Sequence, residues 1–383
     1  MSEDERLGAG SAMTRRQILR TAAGVGLGVV AAGPLAACGS SGGGSTGGGG
    51  RALKVAWVMN GPINDGSWET SHAEGMRAVE KALPGVKTSY VDNVQFGDSG
   101  RQTIMRMAAS NDVVFLTTDY GDAQRQAAAA YPNTKFIVCG ALMTLPNLLG
   151  FYVRNYEVAY VHGVAAAKLT RSNKLGYVAS FPVPSVFGDV NGWALGAQSV
   201  NPDVEVQVVT ISSWYDPQAA TQAVDALVSD GADVVWSIMG DNSVPQAAEK
   251  RGVWSYAWSR DARRVAPRGY VSTTALDWAP YDIAQVKAVQ DGTWRTKPVP
   301  GDELAVGRGV DRGPWGDHVP SSASRAADAA RAKLMDGSLN PFEGPIKDSS
   351  GKVRVPAGKE LTDLQLATWN WPVLGVSGLK AGS

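Results

Sequence analysis

From Arg51 onward, apolar β-rich runs alternate with stretches of helical spacing, and this alternation limits the fold more than any other feature. Eight runs read as strands: "LKVAWVM" (53–59), "VKTSYVD" (86–92), "DVVFLTT" (112–118), "TKFIVCG" (134–140), "KLGYVASF" (174–181), "VEVQVVTI" (204–211), "DVVWSIM" (233–239) and "VWSYAWS" (253–259). Helical patterns lie between them, among them 71–83, 101–110 and 216–231. Strand-helix-strand order predicts an α/β fold with parallel sheets covered on both faces. The two halves also echo each other. Lys54 and Lys174, Pro84 and Pro202, and Val113 and Val234 are 120, 118 and 121 residues apart, a period as long as a whole lobe. In that alignment Phe96-Gly97-Asp98 matches Trp214-Tyr215-Asp216. The expectation is two doubly wound parallel-sheet lobes whose strand ends face one cleft, joined by crossovers that form a hinge. Residues 53–155 plus about 257–280 are assigned to the first lobe, and 156–256 plus about 281–383 to the second.

The N-terminus reads as an address. "TRRQIL" (14–19) is a twin-arginine signal, the following apolar run is Gly/Ala-rich, and "LAAC" ends at Cys38. The order of these parts predicts a lipoprotein signal peptide over 1–37 and lipid attachment at Cys38. "GSSGGGSTGGGG" follows within a tether over 38–52 that can hold no core. The expected location is extracytoplasmic, lipid-anchored to the cell membrane. After Gly50 no apolar stretch is long enough to span a bilayer.

Composition removes several function classes. Lys+Arg and Asp+Glu both number 36, so no basic excess points to nucleic acid. Cys38 and Cys139 are the only cysteines, and His72, His162 and His318 are scattered. No disulfide framework, metal site or cofactor is expected. No histidine stands at a strand end to serve a nucleophile, so an enzyme is not the expected reading. A hydrolase built on the carboxylates Asp65, Asp216, Asp241 and Asp261 is the weaker rival, and a ligand-free surface protein another. Twelve Trp against seven Phe is a skew that suits a ligand site lined by aromatics. Strand ends supply the site candidates, including Asn60 to Glu69, Tyr120, Trp214, Asp241, Asp261 and Trp278.

"GPINDGSW", "SSWYDP", "YPNTKFIVCG", "NPDVEVQVV" and "NPFEGPIKDSSGKVRVPAGKELTDLQL" occur in an order that resembles the basic membrane protein family. These are lipid-anchored substrate-binding components of ABC transporters. The resemblance runs from about residue 53 to the C-terminus. It implies a type I periplasmic-binding-protein fold, a small-molecule ligand and a membrane permease as partner. The family includes receptors for purine nucleosides and bases, with a flavin-binding branch. It further implies that Trp68 stacks on one face of a purine and Trp214 covers the other, an arrangement that suits two broad π faces. Glu69 stands where nucleoside receptors carry an Asn, and suits the donors of an adenine-like edge. Asn60 neighbours Met59, which replaces a base-contacting Asp. Of the ribose-gripping residues only Asp261 survives; Ser259 and Leu276 occupy the places of the other Asp and the Lys, ahead of Trp278. Loss of those clamps predicts a free nucleobase or similar flat heterocycle rather than a nucleoside.

Overall fold

The computed structural model describes residues 51–298 and 302–380; the signal sequence, Cys38 and most of the Gly/Ser tether lie outside the described residues. The chain begins with β1 (Leu53–Val58), α1 (Trp68–Ala82), β2 (Val86–Val91), α2 (Asp98–Ser110), β3 (Val113–Leu116), α3 (Asp122–Ala130), β4 (Lys135–Cys139), β5 (Thr144–Leu145) and β6 (Leu148–Val153). It continues with α4 (Asn155–Leu169), β7 (Lys174–Ala179), α5 (Pro184–Gln198), β8 (Glu205–Thr210), α6 (Pro217–Ser229), β9 (Val234–Ser237), α7 (Ser243–Arg251) and β10 (Trp254–Ser259). The remainder comprises β11 (Tyr270–Leu276), α8 (Ala279–Gln290), β12 (Asp302–Val306), β13 (Gly309–Arg312), α9 (Ser321–Met335), β14 (Ile346–Lys347), β15 (Val353–Val355), α10 (Asp363–Ala367) and β16 (Val376–Ser377).

Strands β12-β6-β4-β3-β1-β2 form one sheet, and β13-β11-β10-β9-β7-β8-β16 form a second. The two meet where β12 pairs with β13. Each sheet is mainly parallel, so its central strands are buried on both faces. Residues Val113–Leu116 of β3 and Val234–Ser237 of β9 are buried throughout, which explains their unbroken apolar sequence. Helices α4 and α5 pack so closely that a Cβ on Gly196 would lie 2.1 Å from the Tyr160 carbonyl oxygen. Only glycine fits there.

All eight expected strands form, and the architecture is the α/β one anticipated; the loop after β1 and the end of β10, one from each sheet, meet where Ser67 Oγ donates to the Trp258 carbonyl. The assignment of residues near 257–280 to the first lobe requires correction, and so does that of α8 and β12, within 281–383, to the second, since α8 packs on α1 and β12 pairs with β6. Trp254 and Ser255 pair with Val234 and Val235 of β9, and β11 pairs with β10. The chain therefore stays in the second sheet through Leu276. Only then does it return, placing α8 against α1, where Trp278 and Val286 join the core around Met76 and Val79. Gly75 permits that contact: a Cβ there would lie 2.6 Å from Asp282 Oδ2 and 2.9 Å from Trp278 Cβ.

Three crossings connect the halves: β6 to α4, β11 to α8, and β12 to β13. Buried Arg154 ties two of them together. Its guanidinium bonds Glu157 at 3.0 Å, Glu303 at 2.5 Å and Asp363 at 2.7 Å, while Glu157 Oε2 accepts the Val306 N–H at 3.0 Å. Among the described residues no helix is long and apolar enough to cross a membrane.

Candidate functional site

The loop after β1 is built around two carboxylates with different duties. Asp65 accepts from the N–H groups of Ser67, Glu69 and Thr70, at 2.7, 3.0 and 3.0 Å, and from the Thr70 hydroxyl at 3.0 Å. It satisfies donors left open at the start of α1. Glu69 is 2% exposed. Its Oε1 accepts from the N–H groups of Asn60 and Gly61, at 2.8 and 3.1 Å, and from the Thr117 hydroxyl at 3.1 Å. Its Oε2 is buried without a partner. Burial raises the Glu69 pKa to about 7, against the pull of those donors, and Asp65 adds a smaller upward push. One oxygen is thus committed to the scaffold, and the other makes no hydrogen bond.

Trp68 opens α1 and is half-buried. Its indole N–H donates to the Thr117 carbonyl at 3.1 Å, which fixes the ring beside Glu69. The ring stands edge-on to His72 and to Trp278, with centroids 5.0 and 5.2 Å away. It also packs on the cores of both halves. Trp278 is 1% exposed, stacks on His72 at 4.0 Å, and donates its N–H to Ser71 Oγ at 2.8 Å. It therefore stands in the core behind Trp68 instead of on the cleft wall, because α8 returns to α1. His72 is neutral there; burial depresses its pKa to about 3.

Asn60 donates its side-chain N–H to the Val94 carbonyl at 2.9 Å, and the buried Tyr120 hydroxyl donates to the same oxygen at 2.9 Å. These two residues thus pin the loop after β2 to the ends of β1 and β3.

The second half offers a more open wall. Trp214 is 41% exposed and lies against Phe181 at 5.7 Å. Its carbonyl accepts the Gly240 N–H at 3.5 Å, bringing the loop after β8 beside the end of β9. Asp241 follows, with Oδ1 accepting from the Ser243 N–H at 2.6 Å and Oδ2 buried without a partner. The hydroxyls of Ser180, Ser243 and Ser259 are likewise buried and unpartnered. Ser180 and Ser259 stand at the ends of β7 and β10, and Ser243 opens α7 after β9; these three strands are neighbours in the sheet. With Asp241 they form a set of polar side chains at this end of the second half. Asp261 is not part of it: its carboxylate is occupied by Arg263, with N–O distances of 2.8 and 2.6 Å.

The walls already touch at their base. Ser67 Oγ donates to the Trp258 carbonyl at 3.4 Å, and Arg260 forks onto Glu74 at 2.6 and 2.7 Å. Two surface hollows of about 410 Å³ each lie at the opposite strand ends, beside Asp112 and beside Asp233, away from every residue above. Sequence reasoning missed Thr117, Ser180 and Ser243 as members of the site. Their only signal was position next to a strand end.

A family model for the PnrA-like substrate-binding proteins of ABC transporters matches residues 52–296. The chain belongs to this family. It is accordingly an extracytoplasmic substrate-binding protein that takes a small-molecule ligand and works with a membrane permease. A purine-binding protein of Brucella abortus is 32% identical over 85% of this chain and 93% of its own. A putative ABC transporter glucose-binding protein of Haloferax volcanii is 28% identical over 77% of this chain and 75% of its own. Among solved structures, a solute-binding protein from Conexibacter woesei superposes with a TM-score of 0.63 at 24% identity, covering 76% of this chain and 98% of that one. One from Aeropyrum pernix gives 0.62 at 18% identity, covering 76% and 94%. These likenesses carry the fold, which is of the periplasmic-binding-protein type.

Proposed function

We propose that this substrate-binding protein captures an adenine-like purine base, or a similar flat heterocycle, between Trp68 and Trp214, and that the lobes close on it. The observation that carries the reading is the pairing of a fixed indole with a buried, half-satisfied carboxyl next to it. A planar ring stacked on Trp68 brings its edge toward Glu69 Oε2. A ligand N–H placed there repairs an otherwise costly buried acceptor. With Oε1 already saturated by three donors, Glu69 reads one ligand donor, not two. The Brucella relative's description as purine-binding agrees. The engagement of Asp261 with Arg263 fits a ligand without ribose. Attachment to the membrane through lipid on Cys38, after export by the twin-arginine route, completes the proposal.

A second reading is a purine nucleoside. The unpartnered hydroxyls of Ser180, Ser243 and Ser259 favour it, since they form a polar row suited to a hydroxylated appendage. Calorimetry with adenine, guanine, hypoxanthine, adenosine and inosine separates the two. The first reading expects adenine to bind most tightly. A nucleoside that wins by about tenfold, equal to about 1.4 kcal/mol, selects the second.

A further inference from the structure

The cleft carries two aromatic side chains that neither the stacking slot nor the core employs. Phe96 is 54% exposed and Tyr215 is 65% exposed, which makes them the most exposed large aromatics among the described residues. Leaving such rings in water forgoes the burial that normally stabilises them. Counted from the helix N-caps their positions correspond, one residue away from the repeat alignment, which sets Phe96 against Trp214. Phe96 directly precedes Gly97, the N-cap of α2, and Tyr215 directly precedes Asp216, the N-cap of α6. Helix α2 follows β2 and α6 follows β8. Counted outward from the β12–β13 junction, β2 and β8 are each the sixth strand of their sheet. The two sheets join at that junction, so the loops after β2 and β8 lie far from it, with only the two-residue β16 beyond β8, and border the mouth of the cleft.

The Phe96 ring is held, and the backbone on either side of the cleft is braced. Phe96 rests against Tyr120 at 5.2 Å, and the Tyr120 hydroxyl is bonded to the Val94 carbonyl within the same loop. The Tyr215 N–H donates to Ser213 Oγ at 3.1 Å, the Ser213 hydroxyl donates to the Tyr215 carbonyl at 3.0 Å, and Asp216 caps α6 through the Ala219 N–H at 2.9 Å. Two exposed rings on braced loops, one on each side of the mouth, gain a partner when the lobes approach.

We propose that Phe96 and Tyr215 form an aromatic gate: on closure the two rings meet across the cleft mouth and control escape of the ligand. The gate rests on the reading of the cleft as the ligand site but not on the identity of the ligand. Stacking in the slot holds the ring; the gate shuts the door behind it.

Two measurements test it. In the first, adenine release is followed by tryptophan fluorescence after rapid dilution, for the parent, Trp68→Ala and the Phe96→Ala/Tyr215→Ala pair. The gate predicts release at least about tenfold faster from the double variant, with association nearly unchanged, since such interface effects fall on dissociation. Melting of the empty protein stays unchanged, because both rings are exposed. Release at the parental rate overturns the gate. The second needs no ligand: the full chain carries Cys38→Ser with Phe96→Cys and Tyr215→Cys, and is treated with a short bismaleimide. Native Cys139 is buried. Linkage of 96 to 215 supports the gate, and labelling of both cysteines without linkage overturns it. Should Trp68→Ala bind adenine as tightly as the parent, the stacking reading fails while the cross-link still judges the gate.

Discussion

The two walls of the cleft are built to different standards. On the first, Trp68 is backed by Trp278 and His72 and anchored through its N–H, and one Glu69 oxygen accepts from three donors. On the second, Trp214 is largely exposed against a single aromatic neighbour, and three hydroxyls and a carboxylate oxygen are left without partners. The first wall is preorganised, so its side chains lose little freedom when a ligand arrives. On the proposed reading, the second is completed by ligand and closure. Binding energy is then expected to concentrate on the first wall, and control of closure on the second.

That contrast can be broken by substitution. Trp68→Ala should weaken binding by about 2–4 kcal/mol through lost area and stacking. Trp214→Ala, on the open wall, should cost about 1–2 kcal/mol. Calorimetry on both decides it, and equal losses would erase the distinction. Glu69→Gln should cost about 1.5–3 kcal/mol, the worth of a hydrogen bond to a charged acceptor. It should also abolish a pH dependence that the parent shows. With the empty-site pKa at about 7, a ligand N–H that requires the carboxylate must displace a proton at lower pH. Adenine affinity should therefore hold above about pH 8 and fall nearly tenfold per unit below about pH 7; a flat parental profile would remove Glu69 from the contact.

Gly75→Ala sharpens the comparison from the scaffold side. The added methyl would collide with Asp282 and Trp278, so overpacking should lower stability by about 1–3 kcal/mol, seen as a lower melting temperature. The same change should disturb the backing of Trp68 while Trp214 keeps its surroundings. Asp261→Asn should be the mildest. Because its carboxylate serves Arg263 on an exposed loop, the effect on adenine affinity should stay within about 0.5 kcal/mol.

Legibility in the sequence followed physical context. Central strands such as β1, β3 and β9 were readable because strands covered on both faces carry apolar runs. Helices α4 and α5 were not, since they are buried nearly all round and show no one-sided stripe. The segment around β10 and β11 was assigned to the wrong half because nothing local says which sheet edge a strand will join. Trp68 and Glu69 announced themselves by standing at a strand-to-helix turn rich in Gly, Pro, Asn and Asp. Trp278 has a similar local setting but is core, a consequence of α8 folding back at long range. Ser180 stood out only once burial revealed its missing partner.

The most direct test is a crystal structure of the adenine complex. The account predicts the base lying flat between the indoles of Trp68 and Trp214, with a ring or amino N–H on Glu69 Oε2. Indoles turned away from the gap, or a base bound elsewhere with Oε2 still alone, would contradict it.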